Sequence, residues 1–278
     1  MTQPLITLLA IGGSDPCGGA GIQADIKAGS SLGVHVLTAV TTVTAQNSYK
    51  FDNSYPIPPE ILEQQLGAVL EEVIPDAVKI GMLGSLENGE VISRFIKKLP
   101  DSVPIVVDPV LKASVGELSS DSSFEYILNF YESMILPYAD AVTPNIPEAD
   151  IFLKFNRLET IKDDMEKAAA LLKLWKTNAV ILKGGHSEGD EISDYLADYL
   201  DGVVIISKSS HKKIPCLNLH GTGCVYASLL AAFLSLGFPL HEAFLKTSER
   251  LHEIITESCN YSLGNSKYGP LNILRYRL

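Results

Sequence analysis

Glycines at the start of one long apolar segment form the most specific chemical pattern in this sequence. The stretch His220–Cys224 reads His-Gly-Thr-Gly-Cys, and Val225–Leu236 continues it in an uninterrupted helical pattern. Such a helix start exposes consecutive N–H groups, and the helix dipole favours anions there. We therefore expect Gly221, Thr222 and Gly223 to form an anion site suited to a phosphoryl group in transfer.

Cys224 lies in the first turn of that predicted helix. A helix N-terminus lowers the pKa of a thiol and makes a reactive thiolate accessible. The alternative is that Cys224 is a small buried apolar residue, the commoner role of a free cysteine.

A second glycine-rich stretch, Gly12–Asp25, follows the first apolar run and has five glycines in its first ten residues. Glycine lets the backbone approach a ligand closely. The stretch matches neither G-x-G-x-x-G nor a Walker A loop. Asp25 lies one helical turn beyond Gly21, where its carboxylate could face a pocket, although a glycine-rich turn with a solvated aspartate is the simpler interpretation.

Two residues suggest contact with a flat heterocycle. Gln46 ends a predicted strand, and its amide can pair with a ring's donor and acceptor edge. Met82 follows another strand, and its thioether could lie against a ring. A polar loop start and a methionine that fills a core gap are the structural alternatives.

Oxygen ligands and a lysine follow three later strands. Asp108, Asn145 and Glu148 offer the hard oxygens that Mg²⁺ prefers, directly or through water. Asn145 and Glu148 also have the spacing of a helix N-cap and its N3 partner, and both roles can hold at once. Lys183 lies in a Lys-Gly-Gly-His segment, where it could contact phosphate.

Short apolar runs that alternate with helical periodicity must position these residues. The predicted strands are Leu5–Ile11, Val34–Val43, Ala77–Ile80, Pro104–Val107, Ala139–Val142 and Ala179–Leu182. Helical spacing relates Leu62, Leu66, Val69 and Val73; Met165, Ala168, Leu172 and Trp175; and Phe244, Thr247, Leu251, Ile254 and Ser258. The alternation predicts an α/β fold with a mostly parallel sheet, helices on both faces and ligands at the carboxyl ends of the strands.

A later segment differs from this alternation. Ile192–Leu200 and Val203–Ser207 flank Asp201-Gly202, which predicts an antiparallel hairpin at a sheet edge. The sequence contains no evident repeat or linker, so we expect one domain over residues 1–278.

Composition excludes some partners. The net charge of −11 argues against a nucleic-acid surface, which needs a basic stripe. No stretch approaches the length of a membrane span, so we expect no membrane partner. The four cysteines lack a C-x-x-C pair, which favours a reducing cytoplasm.

Taken in order, these motifs resemble the hydroxymethylpyrimidine kinase and hydroxymethylpyrimidine-phosphate kinase family of thiamine biosynthesis, within the ribokinase-like superfamily. The likeness extends from Ile11 to about Gly269-Pro270. It rests on Gly-Gly-Ala-Gly-Ile-Gln-Ala-Asp, Thr-Ala-Gln-Asn, Lys-Ile-Gly-Met-Leu, Thr-Pro-Asn-x-Pro-Glu, Lys-Gly-Gly-His and His-Gly-Thr-Gly-Cys.

The resemblance implies a ribokinase-like three-layer sandwich that uses ATP and Mg²⁺ to phosphorylate a small pyrimidine alcohol, in a homodimer. It implies substrate contacts from Gly13, Asp25, Gln46, Met82 and Val110. Asn145 and Lys183 match the nucleotide side, with Glu148 on the Mg²⁺ side beside the candidate ligand Asp108. Gly221, Thr222 and Gly223 match the anion hole, and Cys224 matches the catalytic position.

The sequence departs from the family at Lys112–Asp121, where a Gly-Asp element is usual, and at Asn218-Leu219-His220, which replaces Asn-Thr-His. The first departure leaves the behaviour of a flap and the substrate range open. A pyridoxal or pyridoxine kinase is therefore an alternative, because its substrate is also a flat aza-aromatic alcohol. A silent pyrimidine-binding regulator is disfavoured by the intact anion site, and a dinucleotide or nucleotide-sugar enzyme by the missing G-x-G-x-x-G loop.

Overall fold

The computed structural model of the chain describes residues 4–111, 121–185, 189–263 and 268–275. Its strands are β1 Thr7–Ser14, β2 His35–Gln46, β3 Phe51–Pro56, β4 Ala77–Ile80, β5 Ile105–Val107, β6 Ala141–Val142, β7 Ala179–Leu182, β8 Glu191–Leu200 and β9 Val203–Lys212. They form one sheet in the order β3-β2-β1-β4-β5-β6-β7-β8-β9.

The middle of the sheet is parallel and its two edges are antiparallel. Strands β2, β1, β4, β5, β6 and β7 pair in parallel. At one edge β8 and β9 form the predicted hairpin, and the positive φ angles of Asp201 (51°) and Gly202 (77°) are those of a two-residue turn. At the other edge β3 pairs antiparallel with β2, which the sequence analysis did not predict.

Helices cover both faces, as predicted. They are α1 Gly21–Ser31, α2 Pro59–Glu72, α3 Leu86–Ile96, α4 Asp121–Phe130, α5 Ile146–Phe155, α6 Asp164–Trp175, α7 Thr222–Ser235 and α8 Leu240–Ser258. Adjacent strand residues point to opposite cores: Leu9 belongs to the buried cluster that includes α2 to α6, whereas Leu8 belongs to the cluster that includes α7 and α8. A third buried cluster joins α1 to α7.

The predicted bounds need correction in several places. Strand β1 begins at Thr7 rather than Leu5, and β6 covers only the second half of Ala139–Val142. Met165 shares the helical spacing of Ala168, Leu172 and Trp175, yet it is 44% exposed whereas those three are buried. Residues 112–120 of the atypical flap segment and His186 lie outside the described residues.

No helix in the described ranges has the length and apolar character that a membrane span requires.

Candidate active site

Loops at the carboxyl ends of the parallel strands bring most of the predicted site residues to one edge of the sheet. Gly13 lies near the end of β1, Asp108 directly follows β5, and Lys183 directly follows β7. The start of α7 lies against two of them. A β-carbon placed on Gly223 would lie 3.3 Å from Lys183 Nζ and 3.8 Å from Asp108 Oδ2.

The first turn of α7 can bind an anion, and the ammonium group of Lys183 lies beside it. We call Gly221, Thr222 and Gly223 together with Lys183 the anion cradle. Lys183 Nζ donates a hydrogen bond of 2.7 Å to Asp108 Oδ1. Burial alone would lower the pKa of Lys183, but the neighbouring carboxylates of Asp108 and Glu148 raise it. Lys183 is therefore a buried ammonium ion beside the first turn of α7, where both the lysine and the helix dipole attract phosphate oxygens.

The cradle depends on close contact between two glycine-containing loops. Gly221 has a φ of 85°, and a β-carbon there would overlap the Gly19 carbonyl. A β-carbon on Gly19 would in turn meet the His220 ring. Glycine at these positions lets the two loops touch through their backbones.

The predicted metal ligands form a compact acidic group. Asp108 Oδ1 accepts hydrogen bonds from Lys183 and from Thr143 Oγ1. Asn145 and Glu148 form a reciprocal capping box at the start of α5, with bonds of 2.8 and 2.9 Å. The capping interpretation is therefore confirmed. The capping box uses Oε2 of Glu148, and the bonds from Lys183 and Thr143 use Oδ1 of Asp108.

The chemistry of this group fits a divalent cation. Burial raises the pKa of Glu148 to about 7; Lys183 opposes the rise, and the negative charge of Asp108 adds to it. A divalent cation bound by Asp108 and Glu148 would relieve that repulsion. The donor set thus suits Mg²⁺.

Gly13 and Met82 lie against each other. A β-carbon on Gly13 would lie 3.2 Å from Met82 Sδ and 3.0 Å from Thr42 Cγ2, so any side chain there would crowd both residues. Gln46 ends β2, and the nearby Thr44 hydroxyl donates to the Ser14 carbonyl over 2.8 Å. Val110 follows β5, and its N–H donates to the carbonyl of Asp108.

Asp25 differs from expectation. Its carboxylate has no exposed surface; both of its oxygens lie 3.0 Å from Lys79 Nζ, and Ser228 Oγ donates to one of them over 2.6 Å. Burial favours the neutral form of both groups and raises the pKa of Asp25, although Lys79 opposes that rise. Asp25 and other nearby groups raise the pKa of Lys79, so the lysine is charged, and its contact with both oxygens of Asp25 favours an ion pair. Asp25 lies beneath the site rather than at its surface, and its burial argues against direct contact with a substrate.

Cys224 also differs from expectation in its protonation. It occupies the first turn of α7, yet burial raises the pKa of its thiol to about 11. Lys79 and the Gly21 N–H favour the thiolate, whereas Asp108 and Asp25 disfavour it. Cys224 keeps some exposed surface, but the protein around its sulfur outweighs the helix terminus, so the thiol is neutral in the unliganded protein.

Sequence reasoning missed three residues that position the site. Lys79 was noted only as a neighbour of Met82. Asp15 accepts hydrogen bonds from three backbone N–H groups of the glycine loop and from His220. Asp194 of β8 accepts the N–H of Gly184, directly after Lys183. A Gly-Ser-Asp segment and a strand aspartate carry no local signal that distinguishes these roles.

Comparison with known proteins decides the family. The family model described as phosphomethylpyrimidine kinase matches residues 15–272. The chain belongs to the phosphomethylpyrimidine kinase family. The family resemblance inferred from the motifs is thereby confirmed, as is the assignment to the phosphotransferases.

Two curated relatives of this phosphomethylpyrimidine kinase family member have names that state an activity. It is 36% identical over 271 residues to the hydroxymethylpyrimidine/phosphomethylpyrimidine kinase of Bacillus subtilis, covering 97% of this chain and 95% of the relative. It is 36% identical over 272 residues to the probable thiamine biosynthetic bifunctional enzyme, chloroplastic, of rice, covering 98% of this chain. The chain spans about half, 48%, of the rice protein's length.

A solved structure supports the fold. The pyridoxal kinase of Staphylococcus aureus in complex with AMP-PCP and pyridoxal matches with a TM-score of 0.83 at 26% identity, covering 99% of this chain and 95% of that one. The predicted ribokinase-like α/β fold is thus confirmed, and AMP-PCP in that kinase supports ATP binding in the shared architecture.

Proposed function

We propose that this protein transfers the γ-phosphoryl group of ATP to the hydroxymethyl oxygen of 4-amino-5-hydroxymethyl-2-methylpyrimidine, and then phosphorylates the monophosphate to the diphosphate. The observation that carries the proposal is the position of Lys183 and Asp108 over Gly223, at the start of α7. Phosphoryl transfer needs positioning and charge stabilisation, and this arrangement offers both.

The chain's own residues divide into two groups around the transferred phosphoryl group. Gly221, Thr222 and Gly223 present backbone N–H groups to its oxygens, and Lys183 adds a fixed positive charge. Asn145 lies on the nucleotide side, where a parallel bridge joins it to Lys183. Gly13, Gln46, Met82 and Val110 enclose the heterocycle on the other side.

Asp108 and Glu148 would hold Mg²⁺, with Asn145 fixing Glu148 through the capping box. When bound, the ion neutralises phosphate charge and orients the phosphates.

We assign to Cys224 the role of proton acceptor for the substrate hydroxyl. Its thiol is neutral in the free enzyme, so it must become more acidic in the complex. Asp108 raises the pKa of Cys224, and any neutralisation of Asp108 on assembly of the complex would lower it.

The decisive experiment measures ATP consumption in parallel with hydroxymethylpyrimidine, its monophosphate, pyridoxal and ribose. We expect turnover with the first two and little with ribose. Gly223→Ala is the matched variant, because its methyl group would fill the cradle 3.3 Å from Lys183 Nζ. A wild-type enzyme inactive on both pyrimidines, or a Gly223→Ala enzyme with full turnover, would contradict the proposal.

Pyridoxal phosphorylation is the second candidate. The structural similarity to the pyridoxal kinase of Staphylococcus aureus, over 99% of this chain, favours it. The same assay separates the two, because a pyridoxal kinase would have a much larger kcat/KM for pyridoxal than for the pyrimidine.

We also propose that residues 1–278 act as one kinase domain, that the protein forms a homodimer, and that it works in the cytoplasm. The sheet-edge hairpin offers a surface for dimer contact, and the four cysteines are free thiols. Sedimentation velocity tests the dimer, since a monomer at micromolar concentration would contradict it.

A further inference from the structure

Three side chains of different chemistry meet where the glycine loop touches the loop before α7. The carboxylate of Asp15, the thiol of Cys17 and the imidazole of His220 place one ligand atom each within 4.8 Å of one another. Asp15 Oδ2 lies 2.9 Å from His220 Nε2, although the two residues are 205 positions apart in the chain.

The cluster is held in place by its surroundings. Asp15 is fully buried, and its oxygens accept hydrogen bonds from the N–H groups of Cys17, Gly19 and Ala20. The Cys17 sulfur lies 3.2 Å from Ser48 Oγ. The carboxylate thus has a fixed orientation, while Cys17 and His220 are partly exposed, so a solute can reach them.

We propose that Asp15, Cys17 and His220 form a binding site for a thiophilic divalent cation of the zinc type. Zinc takes carboxylate oxygen, thiolate sulfur and imidazole nitrogen at about 2.0–2.3 Å, and three protein ligands leave a fourth position open. Ligand atoms on one such tetrahedron lie roughly 3.3 Å apart. The Asp15–His220 distance of 2.9 Å is already close to that value, and Cys17 needs the largest adjustment.

Binding moves two protons. The Cys17 thiol releases one proton to the buffer. The proton that His220 Nε2 donates to Asp15 must also leave Nε2: it moves to Nδ1 in a neutral ring, or goes to the buffer when Nδ1 already carries a proton. The cation replaces the hydrogen bond between His220 and Asp15. It joins the glycine loop to the loop before α7, and a hard cation such as Mg²⁺ would be a poor substitute because it disfavours sulfur.

Cobalt(II) is the probe for this site, because a bound thiolate gives it a near-ultraviolet charge-transfer band and tetrahedral ligands give it intense visible bands. The full-length protein is titrated with Co²⁺ in the absence of nucleotide and substrate, and Zn²⁺ is then added. We expect one equivalent to give both sets of bands and Zn²⁺ to abolish them. Neither measurement depends on kinase activity, so this inference and the proposed function can fail separately.

Variants assign the bands to Cys17. Cys17→Ser should abolish the charge-transfer band and weaken Zn²⁺ binding at least about tenfold, because even the outer partners of metal ligands contribute that much. His220→Gln should keep the band but weaken binding. Cys224→Ser and Cys259→Ser are the matched controls and should bind like wild type.

A band that persists in Cys17→Ser, or that is lost in either control variant, would overturn the proposal, and so would a wild-type protein that binds neither cation. Cadmium-113 NMR of the unaltered protein gives a second test that needs no variant. Its chemical shift reports the number of sulfur ligands, and we expect one. A two-sulfur shift would assign the metal to another cysteine pair.

Discussion

Cys224 illustrates how burial can override a local sequence signal. The helix terminus and Lys79 favour its thiolate, but removal from water together with two nearby carboxylates raises the pKa to about 11. At pH 8 roughly one thiol in a thousand is then ionised. Any catalytic use of this sulfur therefore depends on changes that accompany ligand binding.

Replacement of Cys224 by serine keeps the size of the side chain and removes its acidity. If the thiol accepts the substrate proton, kcat should fall by about 10²–10⁴ with little change in KM. Steady-state kinetics measure both. A cysteine that only fills space predicts a nearly fully active serine variant with slightly lower stability.

The pH dependence of alkylation checks the protonation state directly. Since the thiolate is the reacting form, modification of Cys224 by iodoacetamide should rise about tenfold per pH unit up to about pH 11 in the free enzyme. Peptide mapping by mass spectrometry separates Cys224 from the other cysteines. A rate that levels off below pH 8 would show that the thiolate already dominates.

Gln46 is the residue expected to recognise the heterocycle. Gln46→Leu should weaken substrate binding by about 1–3 kcal/mol, because a polar edge of the ring would be buried without a partner. The KM for ATP should hardly change, since Gln46 ends β2 whereas the predicted nucleotide side follows β6 and β7. An unaltered KM for the pyrimidine in this variant would show that Gln46 does not bind the heterocycle.

At the scale of elements, the start of α5 combines a structural and a chemical role. The capping box shows that Glu148 stabilises the helix, and burial raises the pKa of its carboxyl, with the negative charge of Asp108 adding to the rise. Glutamine could still accept the Asn145 N–H. Glu148→Gln should therefore leave the melting temperature nearly unchanged, but raise the Mg²⁺ concentration needed for half-maximal activity and lower kcat. Wild-type Mg²⁺ dependence in this variant would support capping alone.

Strand β8 positions the loop after β7. Asp194 accepts the Gly184 N–H over 2.9 Å and the Ser248 hydroxyl over 3.0 Å, which ties the loop to α8. Asp194→Ala should raise the KM for ATP several-fold and cost about 1–3 kcal/mol of stability, because a buried N–H loses its acceptor.

Asp194→Asn should restore most of the stability and most of the affinity for ATP. The asparagine oxygen can still accept the Gly184 N–H, and the Ser248 hydroxyl can rotate to accept a hydrogen bond from the asparagine amide instead of donating one. Parallel measurement of KM and of denaturant unfolding separates loop positioning from packing. A loss of stability with an unchanged KM for ATP would assign Asp194 to packing only.

The elements differ in how well the sequence predicts them. The apolar runs of β4 and β7 and the Asp201-Gly202 turn are local signals, and the structure confirms them. Strand β3 was missed because Phe51–Pro56 is polar and mostly exposed, and only its pairing with β2 makes it a strand. The capping box was predictable for the same local reason as the turn.

The candidate site is harder to predict because its contacts are distant in sequence. Lys79 and Asp25 are 54 residues apart, and neither residue type indicates the other. The pKa of Cys224 depends on burial by several elements, which no window of sequence reports. The order of the motifs along the chain identified the site residues, but it did not predict the ion pair between Asp25 and Lys79 that lies beneath them.

At the scale of the whole molecule, the Asp25–Lys79 pair joins two helices to the sheet. Asp25 lies on α1, Lys79 on β4 and Ser228 on α7, and all three are buried. Loss of one partner leaves an uncompensated charge in a place without water.

Asp25→Asn should therefore destabilise the protein by about 3–5 kcal/mol, whereas the double variant Asp25→Leu with Lys79→Met should recover much of that loss. Urea unfolding of the three proteins measures both quantities. A single variant that costs less than about 1 kcal/mol would show that the pair is not ionic in the folded state.

The bond between Asp15 and His220 spans 205 residues, and this separation has a consequence for synthesis. At about 5–20 residues per second, a ribosome makes His220 roughly ten to forty seconds after Asp15. During that interval α7 has not yet been synthesised, so the residues that later cover the Leu8 face of β1 are missing. The nascent chain thus presents an apolar strand for longer than folding of a small domain takes, which is the condition under which chaperones engage a chain.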